Sequence, residues 1–283
     1  MDRLYKPSYL KEVLSRHGFE FSKAFGQNFL IDGNIVRQIV EKSGLGPEDL
    51  GIEIGPGAGT LTQELSLKAK KVIAIELDDR LLPILEETTG DNVEVILGDA
   101  LEVDLSGLIE EAGTRSARLV ANLPYNVGTI IAAKILEERI PLDSMTIMLQ
   151  KEVGERMLAK PGAKDYGALS LLVDYFTDSV EAALMVPRTV FMPQPNVDSI
   201  VVKLNIKEVE EKPYEDIMFK TIRGAFTQRR KTILNSLTVG TGIKKKDIRK
   251  ILEDLDLDPS LRAEDLTIDD FERIGEKIYQ LFS

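Results

Sequence analysis

Glu53-Ile54-Gly55-Pro56-Gly57-Ala58-Gly59 is the stretch that decides how this chain folds. The apolar run 50–54 leads into it, and residues 59–68 behind it read as a helix. Glycines let the backbone turn tightly and approach a ligand closely, so Gly55 and Gly57 are expected to contact one. The helix that follows points its N-terminus at the same place. The spacing is G-x-G-x-G; the third glycine of a dinucleotide fingerprint would fall at position 60, which is Thr60. The match to a nicotinamide site is therefore imperfect, and no residue is a plausible hydride-transfer acid.

Outward from this turn the pattern alternates. Strands are predicted at 50–54, 71–76, 93–97, 118–122, 144–150, 180–186 and 198–204, with helices between most of them at 59–68, 78–88, 128–138, 151–159 and 167–177. Such alternation predicts a parallel sheet with helices on both faces. The last two strands are joined without a helix, through Pro187 to Pro195, which predicts an antiparallel hairpin at the sheet edge. Ahead of the alternation come helices at 8–17 and 32–43. Between them Phe25-Gly26-Gln27-Asn28-Phe29-Leu30 is expected to fold back onto the main body. After the charged linker 207–212 no strand pattern returns, and helices are predicted at 214–227, 230–238, 245–254 and 267–282. The expected division is 1–207, including a helical extension 1–46, followed by an all-α domain at 208–283.

Composition narrows the chemistry. With no Cys and a single His, His17, the chain has no thiolate nucleophile, His-based triad or metal cluster. No apolar run reaches transmembrane length and the N-terminus lacks a signal-peptide core, so a soluble cytoplasmic protein is expected. The net charge of −11 is unevenly spread. Residues 220–250 hold ten Lys/Arg against one acid, Asp247, a local +9 that leaves the remainder at −20. Such asymmetry can mark an electrostatic footprint for nucleic acid, although most charge runs are solvated helix faces.

Three further strand ends carry polar groups. Glu76 lies 21 residues after Gly55, where a carboxylate can accept from both ribose hydroxyls. Asp99, in Gly98-Asp99-Ala100, can accept from an adenine amine. Asn122 ends the fourth strand and opens Asn122-Leu123-Pro124-Tyr125. Each residue alone is commonly a cap or a turn residue; together they outline a nucleoside.

These residues resemble those of the S-adenosylmethionine-dependent methyltransferases, whose amino-methyltransferase signature is Asn-Leu-Pro-Tyr. The chain is most similar to the small-subunit rRNA adenine dimethyltransferases. That resemblance runs through residues 25–30, the glycine loop, Asn122 to Asn126, Met148 to Val153, Tyr166-Gly167, Phe191 to Ser199 and Phe226 to Thr232. Where the commonest family form continues with Ile-Ser, this chain has Val127-Gly128. The resemblance implies a Rossmann-like seven-stranded methyltransferase sheet with a small all-α C-terminal domain. It implies that Asn28, Leu30, Gly55, Glu76, Asp99 and Asn122 contact S-adenosylmethionine. It also implies dimethylation of two adjacent adenosines in a hairpin loop near the 3′ end of small-subunit rRNA, by a monomer acting on a 30S-type particle without metal.

The exocyclic nitrogen of adenine is a poor nucleophile because its lone pair is conjugated into the ring. Acceptors on its two hydrogens free that pair, and the Asn122 side-chain oxygen and the Pro124 carbonyl are the candidates. The base must leave its stack; Tyr125 offers one stacking face, and Phe191, in what reads as an exposed rigid loop, is the candidate for the other. Arg223, Arg229, Arg230 and Lys231 are the expected RNA-binding residues. Alternatives are a large-subunit rRNA adenine methyltransferase of the antibiotic-resistance type and a non-catalytic ribosome-assembly factor.

Overall fold

A computed structural model describes residues 3–21 and 27–282. Phe25 and Gly26 of the expected folded-back segment lie outside the described residues. The chain forms two compact units, 1–154 with 177–207, and 155–176 with 208–283. The stretch 155–176, expected with the first 207 residues, groups with the C-terminal helices instead.

The first unit opens with α1 (Pro7–Arg16), which has proline in its first turn, where a missing N–H costs nothing. A two-residue strand β1 (Phe29–Leu30) follows. Next is α2 (Gly33–Ser43), whose N-terminal amides at Asn34 and Ile35 donate to the Asp32 carboxylate and which ends at Gly44 with φ of 70°. The alternation then runs β2 (Leu50–Ile54), α3 (Thr60–Ser66), β3 (Lys71–Glu76), α4 (Leu82–Thr88), β4 (Val93–Leu97), α5 (Leu105–Ala112), β5 (Ala117–Asn122), α6 (Gly128–Glu137), β6 (Ser144–Gln150) and α7 (Lys151–Leu158). After α8 (Ala168–Phe176), which belongs to the second unit, come β7 (Thr177–Val186), β8 (Phe191–Met192) and β9 (Ser199–Ile206). Helix α5 is absent from the sequence reading. It has eight residues, only Leu105 among them buried, and Gly107 interrupts its periodicity.

The seven long strands form one sheet in the order β4-β3-β2-β5-β6-β9-β7. Six run in one direction, and β9 alone is reversed, pairing antiparallel to both β6 and β7. The expected hairpin is present, but its second strand is the inner one: β9 inserts between β6 and β7, leaving β7 at the edge. The inserted strand is the more apolar of the two, with Ile200, Val201, Val202 and Leu204 all buried, whereas β7 is largely exposed. Against the sheet, α2 and α3 bury Val36, Ile39, Val40, Leu61 and Leu65 in a cluster that also holds Leu30 and Phe191. A second cluster joins Leu10, Val13 and Leu14 of α1 to Phe29, Ala58, Leu81, Ile84 and Leu85. The described end of the Phe25–Leu30 segment thus folds back as expected, with Leu30 paired to Phe191 and Phe29 to Met192.

The second unit is helical: α8, α9 (Glu215–Phe226), α10 (Ile233–Thr241), α11 (Lys245–Asp254) and α12 (Ile268–Phe282). Tyr175, Phe176 and Phe219 pack ring against ring, and the Tyr175 hydroxyl donates to Glu215 at 2.9 Å. Helices α9 and α10 cross where a Cβ on Gly240 would stand 2.4 Å from the Gly224 Cα, so only glycine fits at that crossing.

Candidate active site

The parallel strands deliver their last residues to one edge of the sheet, where open α/β folds bind ligands. There a cleft enclosing about 870 Å³, solvent included, is lined by Asn28, Gly55, Gly57, Glu76, Asp99, Asn122 and Tyr125 among others. The structure therefore assembles most of the residues singled out from the sequence.

The turn after β2 is built by glycines. Gly55, Gly57 and Gly59 take φ of 70°, 59° and 92°, and a Cβ on Gly57 would lie 2.7 Å from the Phe29 ring. Glu76 ends β3 nearly buried. Its Oε1 accepts the Leu77 and Asp78 amides at 2.9 Å, and its Oε2 accepts the Gly57 amide at 3.0 Å. Burial raises its pKa, while those three amides favour the charged form. The carboxylate is thereby fixed in orientation beside the glycine turn. Asp99 is set by the Leu101 amide, which donates to its Oδ1 at 2.9 Å.

Behind Gly55 a smaller pocket lies between Phe29, Leu30, Thr60, Leu61 and Asn122, with Glu53 in its wall. Glu53 is 1% exposed, and its Oε2 has no hydrogen-bond partner among the described residues. Burial pushes its carboxyl up to about 8; the nearby Thr62 hydroxyl opposes the rise without closing a hydrogen bond, and Glu76 adds to it. Sequence reading passed over this residue because an acid in an apolar strand looks like part of the turn motif. Leu30 lines this smaller pocket rather than the main cleft; its side chain is core, which leaves only its backbone to meet a ligand.

At the end of β5 the Asn122 Nδ2 donates to the Asn28 carbonyl at 3.0 Å. A carbonyl can only accept, so this contact sets the amide's orientation and makes Oδ1 its acceptor end. The second acceptor is not the one expected. The Pro124 carbonyl already accepts the Val127 and Gly128 amides, at 3.2 and 2.7 Å, as α6 begins. Both of its lone pairs are thereby used. No described donor reaches the carbonyl of Leu123, one residue earlier, which is the vacant acceptor beside Asn122. Tyr125 is half-buried in the cleft wall. Phe191 does not line the cleft: it is 3% exposed, paired to Leu30 in β8, and packed in the apolar core rather than on an exposed loop.

The donor set fits S-adenosylmethionine. Two carboxylates, Glu76 and Asp99, face the cleft and no Lys, Arg or His among the described residues lines it, which suits a cationic sulfonium nucleoside better than a pyrophosphate. When bound, S-adenosylmethionine would be held by Glu76 at the ribose and Asp99 at the adenine. Among the described residues there is no group of acids or His that could hold a metal ion, and no helix is long and apolar enough to cross a membrane.

The basic run of the second unit is only partly available. Arg229 donates to the carbonyls of Lys164 and Tyr166, at 2.6 and 3.0 Å, and pairs with Glu264. It therefore braces a loop of its own unit. Arg230 and Lys231 are exposed on the turn before α10, which starts at Ile233 rather than 230. Arg223 is exposed on α9. Lys244, Lys245, Lys246, Arg249 and Lys250 form a second exposed group at the start of α11.

This sheet order, glycine turn and strand-end Asn-Leu-Pro-Tyr define an S-adenosylmethionine-dependent amino-methyltransferase. Residues 18–279 match the ribosomal RNA adenine dimethylase family, and the chain belongs to it. It is 47% identical over 285 residues to the ribosomal RNA small subunit methyltransferase A of Geobacillus thermodenitrificans, covering 98% of this chain and 97% of that one. A dimethyladenosine transferase from Plasmodium falciparum superposes with a TM-score of 0.73 at 28% identity, covering 89% of this chain and 98% of that one. The 23S rRNA methyltransferase ErmE shares the fold, with a TM-score of 0.64 at 24% identity, covering 89% of this chain and all of that one.

Proposed function

We propose that this chain dimethylates N6 of two adjacent adenosines in a hairpin loop near the 3′ end of small-subunit rRNA, acting as a monomer on a 30S-type particle. The observation that carries the reading is the Asn122 amide, whose nitrogen is tied to the Asn28 carbonyl so that its oxygen is left to accept. S-adenosylmethionine supplies an electrophilic methyl group. In the first transfer Asn122 Oδ1 and the Leu123 carbonyl accept the two amino hydrogens of the flipped base and draw its nitrogen toward tetrahedral geometry; in the second, one of the two acceptors holds the single hydrogen that remains. The Tyr125 ring stacks on the base, a contact worth roughly 1–3 kcal/mol. No His, Lys or Cys among the described residues lines the cleft. None is needed, because the methylated ammonium is acidic and gives its proton to water. The rate comes from orientation and from stabilising positive charge as it develops on nitrogen.

Arg223, Arg230, Lys231 and the α11 cations supply phosphate contacts, which position an RNA without reading its sequence. Relatives named for the small subunit, over nearly the whole chain, support that substrate; the likeness to ErmE extends to the fold alone. Radiolabelled methyl transfer to under-methylated small subunits, with digestion to nucleosides, tests the proposal. N6,N6-dimethyladenosine is the expected product. Label in large-subunit RNA, or none, would overturn the assignment.

A further inference from the structure

Because β9 runs against the parallel strands, its first residue reaches the edge where they end. That residue is Ser199, paired with Gln150 at the end of β6 and with Val186 at the end of β7. It is fully buried, at 0% exposure. Its hydroxyl lies 2.6 Å from the Tyr125 hydroxyl, across 74 residues of sequence. Tyr125 is thus held at both ends. Its backbone lies in the turn that the Val127 and Gly128 amides close on the Pro124 carbonyl, and its phenol is tied to β9, a strand flanked on both sides by β6 and β7. Burial raises the Tyr125 pKa above its ordinary 10, with Asp198 adding to the rise and Ser199 opposing it. The phenol therefore keeps its proton at neutral pH and is an uncharged hydrogen-bonding tether.

We propose that Ser199 is a positioning residue for the target adenine, holding the Tyr125 ring in the orientation from which it stacks on the flipped base. The inference rests on the adenine reading of this cleft. An untethered ring must be ordered each time a base enters, and preorganisation removes that cost from the reacting complex. The inserted antiparallel strand is what makes the tether possible, since a parallel strand in the same place would bring its last residue to this edge, not its first.

The test is a double-mutant cycle in methyl transfer, with cofactor affinity and melting temperature measured on every variant. Ser199→Ala and Tyr125→Phe remove the same hydrogen bond. Each is expected to lower kcat about three- to tenfold, the range set by one ordinary hydrogen bond, with cofactor affinity unchanged. The double variant should be no slower than either single one, and Ser199→Ala should cost nothing more in a Tyr125→Ala background. Losses that multiply, or an equal loss of cofactor affinity in Ser199→Ala, would make Ser199 a structural residue and overturn the proposal. Should Ser199→Ala fail to fold, Tyr125→Phe reads the same bond. The order of the Tyr125 ring, measured by NMR on ring-labelled protein, needs no substrate. It should fall in Ser199→Ala, and an unchanged ring would refute the tether even if the wild-type enzyme proved to act on another RNA.

Discussion

The Asn122 side chain has two ends of similar shape and opposite hydrogen-bonding sense. The Asn28 carbonyl takes the donor end. Asn122→Ala removes the acceptor and should reduce single-turnover transfer by about a hundredfold, the scale of one preorganised catalytic contact, with little change in melting temperature. Asn122→Asp keeps an acceptor but turns a second oxygen against the Asn28 carbonyl, so its rate should fall between those of Ala and wild type. Equal rates for the two variants would remove the acceptor role. Glu53 gives a prediction of another kind. Its folded-state pKa of about 8 stands above the ordinary 4.5, so the folded chain holds a proton that the unfolded chain gives up. Stability from this group is complete below the lower value and is lost as pH rises toward the higher one, by at most about 1.4 kcal/mol per pH unit. Between pH 5 and 8 the cofactor-free protein should lose melting temperature relative to Glu53→Gln. A wild-type-to-variant difference that stays constant across that range would place the proton elsewhere.

At the scale of elements, the glycine turn and the β1–β8 pair form one device. Gly57 presents its amide to Glu76 while its Cα faces the Phe29 ring, and Phe29 is held by pairing with Met192. A methyl group at 57 would push into that ring and also strain the left-handed backbone, which costs a residue other than glycine roughly 1–2 kcal/mol. Gly57→Ala is therefore expected to weaken S-adenosylmethionine binding by at least tenfold in calorimetry while leaving RNA affinity unchanged. Unaltered cofactor affinity would show that Phe29 gives way freely. The glycine spacing was legible in the sequence; the aromatic wall opposite it was not, since Phe29 reaches the turn only through pairing with a strand more than 160 residues away.

Over the whole molecule the charge is segregated: a net −11 with ten cations and one acid between 220 and 250. Arg229 is spent on the Lys164 and Tyr166 carbonyls, so it and its neighbours should separate by experiment. Arg230→Gln with Lys231→Gln should weaken small-subunit binding and lower its log–log salt slope by about 0.7–0.9 for each phosphate no longer neutralised, without moving cofactor affinity or melting temperature. Arg229→Gln should instead lower the melting temperature. A wild-type salt slope in the double variant would shift the footprint to the Lys244–Lys250 group on α11.

Sequence alone determined what depends on near neighbours. The alternation of apolar runs and helical periods set the α/β class, and the polar residues at or just beyond the ends of β3, β4 and β5 marked the cleft, because the chain leaving a strand projects beyond the sheet whatever lies beside it. Tertiary structure decided everything that depends on a distant partner. It placed β9 inside β7, buried Phe191 against Leu30, and moved 155–176 into the helical unit. It also bound both lone pairs of the Pro124 carbonyl to the start of α6, which leaves Leu123 as the acceptor. The bonds that orient Asn122 and Tyr125 span 94 and 74 residues. Periodicity reports which face of an element is apolar; which donor meets which acceptor is settled only when the chain closes those loops.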